Sequence, residues 1–193
     1  MKINIKTFLA VGLIGLTSAC SDLDVDVNSY YTSYPSSDIA IAAKMADIYY
    51  SFAGPLNRRY DEAQSLSSDE YVGLSFSGNY IDNNTYSNMS LHLFSQDDAS
   101  TGYYADVASG ISKANQIIVD LGGDAAKPNV IAPARAMRAF FHFILMDSYG
   151  DIPILDHLAE ANEVIERQPR ADVAKFIEKE LLAIIPYLPS DNT

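Results

Sequence analysis

The chain has 193 residues, of which 48% are hydrophobic, so it is long enough to bury one sizeable core. It carries 13 basic and 25 acidic residues, which give a formal net charge of −12 at pH 7. A chain of this charge repels a phosphate backbone, so the composition argues against nucleic acid as a partner.

An export signal occupies the start of the chain. Lys2 and Lys6 precede an apolar run over residues 8–16, and small residues follow that run. The run is too short to span a bilayer. We therefore predict that residues 1–19 are a signal peptide. Its removal takes away two lysines and leaves 11 basic and 25 acidic residues, a net charge of −14.

The only cysteine of the chain, Cys20, stands directly after this signal. Thr-Ser-Ala-Cys at residues 17–20 resembles a bacterial lipobox, in which the cysteine is lipidated and becomes the first residue of the mature protein. Thr17 departs from the aliphatic residue that is usual at this place, although Leu16 comes just before it. We predict lipidation of Cys20. The alternative is an ordinary secretory signal followed by a free thiol.

Residues 20–36 are acidic and polar, and we predict that they form a tether between the lipid and the folded domain. Asp22, Asp24 and Asp26 alternate like the start of a calcium loop. However, Val27 stands where such a loop needs glycine. The sequence therefore predicts no metal site here, and no cofactor is expected elsewhere.

The spacing of apolar residues predicts four amphipathic helices. The residues that define them are Ile39, Ala42, Ala43, Ala46, Tyr49 and Ala53 in the first; Tyr104, Val107, Ile111, Ala114, Ile118 and Leu121 in the second; Met137, Phe140, Phe141, Ile144 and Leu145 in the third; and Val173, Phe176, Ile177, Leu181 and Ile184 in the fourth. No convincing strand alternation separates the later helices.

Capping and stop signals set the predicted ends of these helices. Ser36 or Ser37 caps the first helix, and Gly54-Pro55 ends it. Gly122 ends the second helix, and Pro186 ends the fourth. Pro133 is expected near the first turn of the third helix.

The third helix lies in ARAMRAFFHFILMDSYGDIPIL, residues 134–155, and is apolar on almost every side. Such a helix must be buried between neighbours, so we expect it to be the central layer of packed helical hairpins, between the second and fourth helices. Gly150 is expected in the left-handed conformation that ends the helix, and Pro153 prevents its resumption. Tyr149 and Asp151 are expected to fix this turn rather than to touch a ligand.

The same segment resembles the part of the SusD-like (SusD/RagB) outer-membrane nutrient-binding lipoproteins in which an Arg-Ala-aromatic helix runs into Tyr-Gly-Asp-x-Pro. Other pieces agree in order: CSDLDVD after the signal, SSDEYVG at residues 67–73, ISKANQIIVDL, and RADVAKFIEKELLAIIPYLP. The resemblance covers nearly the whole mature chain.

The resemblance implies an all-α fold of tetratricopeptide-like helical hairpins with long loops, here as a SusD-like N-terminal domain over residues 37–193. It implies a lipoprotein exposed on the outer membrane of Bacteroidetes-type cells, which sits as a lid on a SusC-like TonB-dependent transporter. Such proteins hand the transporter glycans or, in some members, peptides. Family members are usually much longer, so the chain is expected to be truncated, and a remnant that binds nothing is a further alternative.

No catalytic constellation emerges from the sequence. The run Gly-Leu-Ser-Phe-Ser at residues 73–77 misses a nucleophile elbow, because its last residue is serine rather than glycine. His92, His142 and His157 lack the spacing of metal ligands, and His142 is expected to be a core residue with its hydrogen bonds satisfied. We expect a binding protein rather than an enzyme.

The segment Ser65–Gly102 is expected to be a long loop that is rich in serine and asparagine. Within it, Tyr80, Asp82, Asn83 and Tyr86 are the candidate ligand contacts, because aromatic rings cover the C–H faces of sugars while carboxylates and amides bond the hydroxyl groups. The alternative is that these tyrosines pack the loop onto the helices or face the transporter. The chain has no tryptophan, which slightly favours a peptide ligand, and its acidity disfavours a strongly anionic glycan.

Overall fold

The computed structural model describes residues 37–73, 85–93, 103–188 and 190. All of them belong to one unit, Ser33–Thr193. The predicted signal, the tether and Cys20 lie outside the described residues, as do Tyr80, Asp82 and Asn83. None of the described helices combines the length and the hydropathy of a transmembrane span.

The described residues form an all-α fold. Its helices are α1 Asp38–Gly54, α2 Tyr60–Ser67, α3 Thr85–Ser90, α4 Tyr104–Asp120, α5 Pro128–Tyr149 and α6 Arg170–Ile184. A π-helical turn covers Pro55–Arg59, and short 3-10 turns cover Gly123–Ala125 and Ile185–Tyr187. Two short strands, β1 Ile152–Pro153 and β2 Arg167–Gln168, pair antiparallel with Ile152 opposite Gln168.

The long helix α5 is the central layer, which confirms the prediction for the third helix. It packs against α4 on one side and α6 on the other, and α1 packs against α4 and α5. Its side chains Phe141, Ile144 and Leu145 are fully buried, and each contributes roughly 1.5–3 kcal/mol of burial free energy. Gly110 of α4 permits the close approach of the two helices, because a Cβ atom there would lie 2.6 Å from the ring of Phe141.

The buried face of α1 differs from the predicted one. Ser37 caps the helix as expected, with its Oγ accepting from Ala40 N at 3.3 Å. However, Ile39 is 84% exposed and Tyr49 is 51% exposed, whereas Met45 and Ile48 are buried. Small alanines surround the helix on several sides, so spacing alone selected no unique face, and the larger Met45 and Ile48 side chains bury more apolar area.

The helical path does not end at Gly54-Pro55, where the sequence predicts a stop. A π-helical turn follows, in which Tyr60 N bonds Pro55 O, and α2 continues to Ser67. Proline lacks its own N–H and crowds the preceding turn, but it is tolerated at the start of a helical segment, and a wider turn accommodates it. The predicted loop therefore begins only after Ser67, and it contains α3.

The start of α5 also differs from the prediction. The helix begins at Pro128, so Pro133 lies inside it rather than near its first turn. Pro128 takes the first helical position, where a missing N–H leaves no hydrogen bond unmade. Two prolines precede the same apolar run, and the sequence pattern did not distinguish them.

Candidate functional site

The helix α5 ends at the glycine that the sequence singled out. Gly150 has φ 77° and ψ −109°, and its nitrogen donates to Met146 O at 3.0 Å. A positive φ is costly for any residue with a Cβ atom. The predicted glycine stop is confirmed, although its ψ lies outside the left-handed helical region.

The neighbours of this glycine have structural partners. The Tyr149 ring packs 5.7 Å from the ring of Tyr103 and 5.1 Å from that of Tyr104, and burial raises the pKa of Tyr149. Asp151 Oδ1 accepts from Arg170 N at 2.8 Å, at the first residue of α6. Both side chains therefore fix the turn, as the sequence predicts.

An ion-pair network that the sequence analysis missed lies between α5 and α6. Arg138 donates to Glu180 Oε2 at 2.5 Å, and Arg135 donates to both carboxylate oxygens of Glu180 at 2.6 and 3.1 Å. Burial raises the pKa of Glu180, but the two guanidinium groups outweigh burial and hold this pKa below its usual value. The signal in the sequence was two arginines at helical spacing in an otherwise apolar helix.

Asn115 and His142, which lie beside this network, hold the residues that follow β1. Asn115 Nδ2 donates to Leu155 O at 3.1 Å and to His157 O at 2.7 Å. His142 Nε2 accepts from Leu155 N at 3.0 Å, so its Nδ1, 2.8 Å from Arg138 O, carries the proton. Burial lowers the pKa of His142 to about 4. The prediction of a satisfied core histidine is confirmed.

Of the four predicted ligand contacts, Tyr86 lies among the described residues, in α3. Its hydroxyl accepts from Arg58 at 2.6 Å and donates to Glu62 Oε1 at 2.9 Å. Arg58 and Glu62 also pair at 2.7 Å. These bonds fasten α3 to the junction of α1 and α2, which supports the alternative that this tyrosine packs its segment onto the helices.

An open cleft lies between the C-terminal part of α1 and the first turns of α4. Its volume is about 490 Å³, within the range of small-molecule sites. The cleft, here called the α1–α4 cleft, is lined by Tyr50, Ser51, Ala53, Gly54, Pro55, Asp106, Ser109 and Lys113. Lys113 Nζ bonds Asp47 Oδ1 at 2.9 Å and joins the two helices beside it.

A second concave surface is apolar. This groove, here called the α5 groove, has a volume of about 400 Å³ and lies over α5 between α1 and α6. Its lining residues are Phe52, Ala136, Met137, Ala139, Phe140, Phe143, Ile177 and Leu181. Within the described part of the chain, no three His, Cys, Asp or Glu side chains come together to hold a metal ion.

The family of the chain follows from a sequence comparison. A model of SusD-like proteins, described as "starch-binding associating with outer membrane", matches residues 23–193. The chain therefore belongs to the SusD-like family. A sequence search of curated proteins finds no match.

Solved structures share the fold. A laminarin-binding SusD-like protein is 18% identical with a TM-score of 0.65, covering 79% of this chain and 34% of its own. A SusD-like protein from Bacteroides fragilis is 16% identical with a TM-score of 0.64, covering 85% of this chain and 32% of its own. A SusD-like carbohydrate-binding protein from the same organism is 18% identical, with a TM-score of 0.54 and coverages of 79% and 32%. The chain thus spans about a third of the length of these structures.

Proposed function

We propose that this chain is a surface-exposed, lipid-anchored outer-membrane protein that binds glycans and delivers them to a partner SusC-like TonB-dependent transporter. The observation that carries the proposal is the match of residues 23–193 to a family described as starch-binding and associated with the outer membrane. The name of one structural neighbour, a laminarin-binding protein, supports a glycan ligand.

The ligand that best suits the chain is a neutral or weakly charged oligosaccharide. The acidic residues outnumber the basic ones by 12. This charge repels a polyanionic glycan at low salt, but it does not act on a neutral sugar. A neutral sugar is held by ring stacking and by hydrogen bonds to its hydroxyl groups, and neither needs a reactive group.

Tyr80, Asp82 and Asn83 stay proposed ligand contacts. For Tyr86, the proposed contact is with the ring, because its hydroxyl is already bonded to Arg58 and Glu62. Its main contribution is then to hold the segment that carries the other three residues.

The anchoring part of the proposal is tested by a Cys20→Ala substitution. Two or more acyl chains, at about 0.8 kcal/mol per buried methylene, hold a protein on a bilayer where one chain does not. The unsubstituted chain should stay with the outer-membrane fraction, and the variant should be released. Equal amounts of both in the soluble fraction would contradict a lipid anchor.

The binding part is tested with the full chain, purified in a detergent without a sugar headgroup. Calorimetry should detect binding of maltoheptaose or laminarihexaose, and not of an oligogalacturonate of the same length. A mixture of short peptides is the comparison for the alternative ligand. Binding of peptides without binding of either glucan would overturn the glycan proposal in favour of a peptide-binding member of the family.

A further inference from the structure

We infer that the α1–α4 cleft is a binding site for one or two units of a neutral glycan. The inference rests on the proposed function and adds a contact surface to it. It concerns residues on α1 and α4 that were not among the predicted ligand contacts.

The first observation is an exposed aromatic ring next to an unfilled part of the cleft. Tyr50 is 78% exposed and lines the cleft. Gly54 follows four residues later on the same face of α1, and a Cβ atom there would meet no atom within 4 Å. A sugar ring therefore has room to lie against the face of Tyr50, which is the usual contact of an aromatic side chain with a pyranose.

The second observation is a polar wall on α4. Asp106, Ser109 and Lys113 are spaced three and four residues apart, so all three lie on one face of the helix. Asp106 and Ser109 make no hydrogen bond or ion pair with any residue that the structure describes. Their acceptor and donor groups are therefore available for the hydroxyl groups of a sugar.

The third observation is that the wall is held in place. The ion pair between Lys113 and Asp47 joins α4 to α1. The Lys113 ammonium has three N–H groups, and the bond to Asp47 at 2.9 Å uses one of them. The helix that carries the wall is itself fixed by its buried Val107 and Ile111 side chains, so the cleft is preorganised, which lowers the cost of binding a small ligand.

The charges of the cleft favour a neutral glycan over other ligands. Asp47 and Asp106 outnumber Lys113, so a carboxylated sugar would meet net negative charge. Hydrophobic peptide side chains need an apolar pocket, and the α4 wall offers a carboxylate, a hydroxyl and an ammonium group instead.

The test uses the full chain in the same detergent, with maltoheptaose and laminarihexaose as probes. Tyr50→Ala should weaken binding of the better probe by about 3- to 10-fold, because it removes the stacking ring. Tyr50→Phe should keep the affinity, because it keeps the ring. Tyr49→Ala is the matched control, since Tyr49 is the adjacent exposed tyrosine and does not line the cleft.

A second variant separates binding from folding. Gly54 lies in a helix directly before Pro55, where a Cβ atom gains helix propensity but crowds the proline ring. The melting temperature and binding of Gly54→Gln are therefore compared with those of Gly54→Ala, which carries the same Cβ atom without filling the cleft. The longer side chain would occupy the cleft, and binding should fall by about tenfold or more. Asp106→Asn should weaken binding and lower the melting temperature only slightly, because it removes one acidic group from the first turn of α4.

The outcomes distinguish this inference from the proposed function. If the unsubstituted chain binds neither glucan, both fail. If it binds a glucan and the Tyr50→Ala and Gly54→Gln variants bind it equally well, the cleft is not the site, while the proposed function stands. Weaker binding by Tyr50→Ala together with an unchanged Tyr49→Ala supports the cleft.

Discussion

The neutral imidazole of His142 makes the stability of the fold depend on pH. Burial lowers its pKa to about 4, while the unfolded chain takes up a proton near the ordinary value of 6.5. Its charged neighbour Arg138 also disfavours the imidazolium, whereas Glu180 and Asp156 favour it. The stabilisation by the neutral form is therefore complete above about pH 6.5 and is lost as the pH falls toward 4.

We expect His142 to account for about 3 kcal/mol of the loss in unfolding free energy between pH 7 and pH 4. Urea denaturation of the chain and of a His142→Gln variant across this range measures the contribution. The variant is less stable at pH 7, so the comparison uses the slope of the unfolding free energy with pH rather than its absolute value. Parallel slopes would show that the histidine does not titrate with folding.

The Glu180 carboxylate compensates two guanidinium groups, one of them buried. Glu180→Gln removes the counter-charge of the buried Arg138 guanidinium, and we expect it to lower the free energy of unfolding by about 3–5 kcal/mol. Lys175→Ala is the control, because it breaks an exposed pair with Asp172 on the same helix. That change should cost less than about 1 kcal/mol. Equal effects of the two substitutions on chemical denaturation would refute the structural role of the buried pair.

At the scale of the element, the end of α5 depends on one glycine. Gly150 has φ 77°, so Gly150→Val should lower the free energy of unfolding by at least about 1–2 kcal/mol. Gly54→Ala is a matched glycine change at a negative φ, and it should change stability by less than about 1 kcal/mol, because the helix propensity of alanine and the crowding of its Cβ atom by Pro55 oppose each other. Thermal melting distinguishes them, and an unchanged melting temperature for Gly150→Val would count against the turn.

Strong periodicity made the central helices predictable. In α4, the apolar spacing of Val107, Ile111 and Ala114 matches their burial, and Gly122 follows with φ 111°. In α5, apolar residues on both faces required two neighbours, which α4 and α6 provide. These features depend on local spacing and on burial, which the sequence carries directly.

Other elements depend on long-range contacts that spacing does not reveal. The orientation of α1 is set by Met45 and Ile48, which are buried, whereas Ala42, Ala43 and Ala46 are exposed. The helix α3 lies where composition predicts a loop, and it is held by the hydroxyl of Tyr86 against Arg58 and Glu62. The α1–α4 cleft combines residues more than 50 positions apart, so no local motif marks it.

For the molecule as a whole, the α5 groove is an apolar part of the surface. Phe143 lines it and is 40% exposed, and Leu182 lies on the adjoining surface of α6. Exposed apolar patches of this kind bind hydrophobic probes or other chains. We expect the chain to enhance the fluorescence of anilinonaphthalene sulfonate in the folded state, and Phe143→Ser to reduce the enhancement.

The change should lower the free energy of unfolding by no more than about 1–2 kcal/mol, because Phe143 is partly exposed. If the fluorescence does not change with Phe143→Ser, the probe binds elsewhere. The fluorescence is measured at a detergent concentration below the critical micelle concentration, because micelles also bind the dye.

The proposed binding of a neutral glycan in the α1–α4 cleft is tested by hydrogen exchange of the full chain, with and without a saturating glucan oligosaccharide, because this measurement reports both binding and location. We expect slower amide exchange at the C-terminal end of α1 and in the first turns of α4, with little change in α6. Unchanged exchange throughout, or protection confined to other segments, would contradict it.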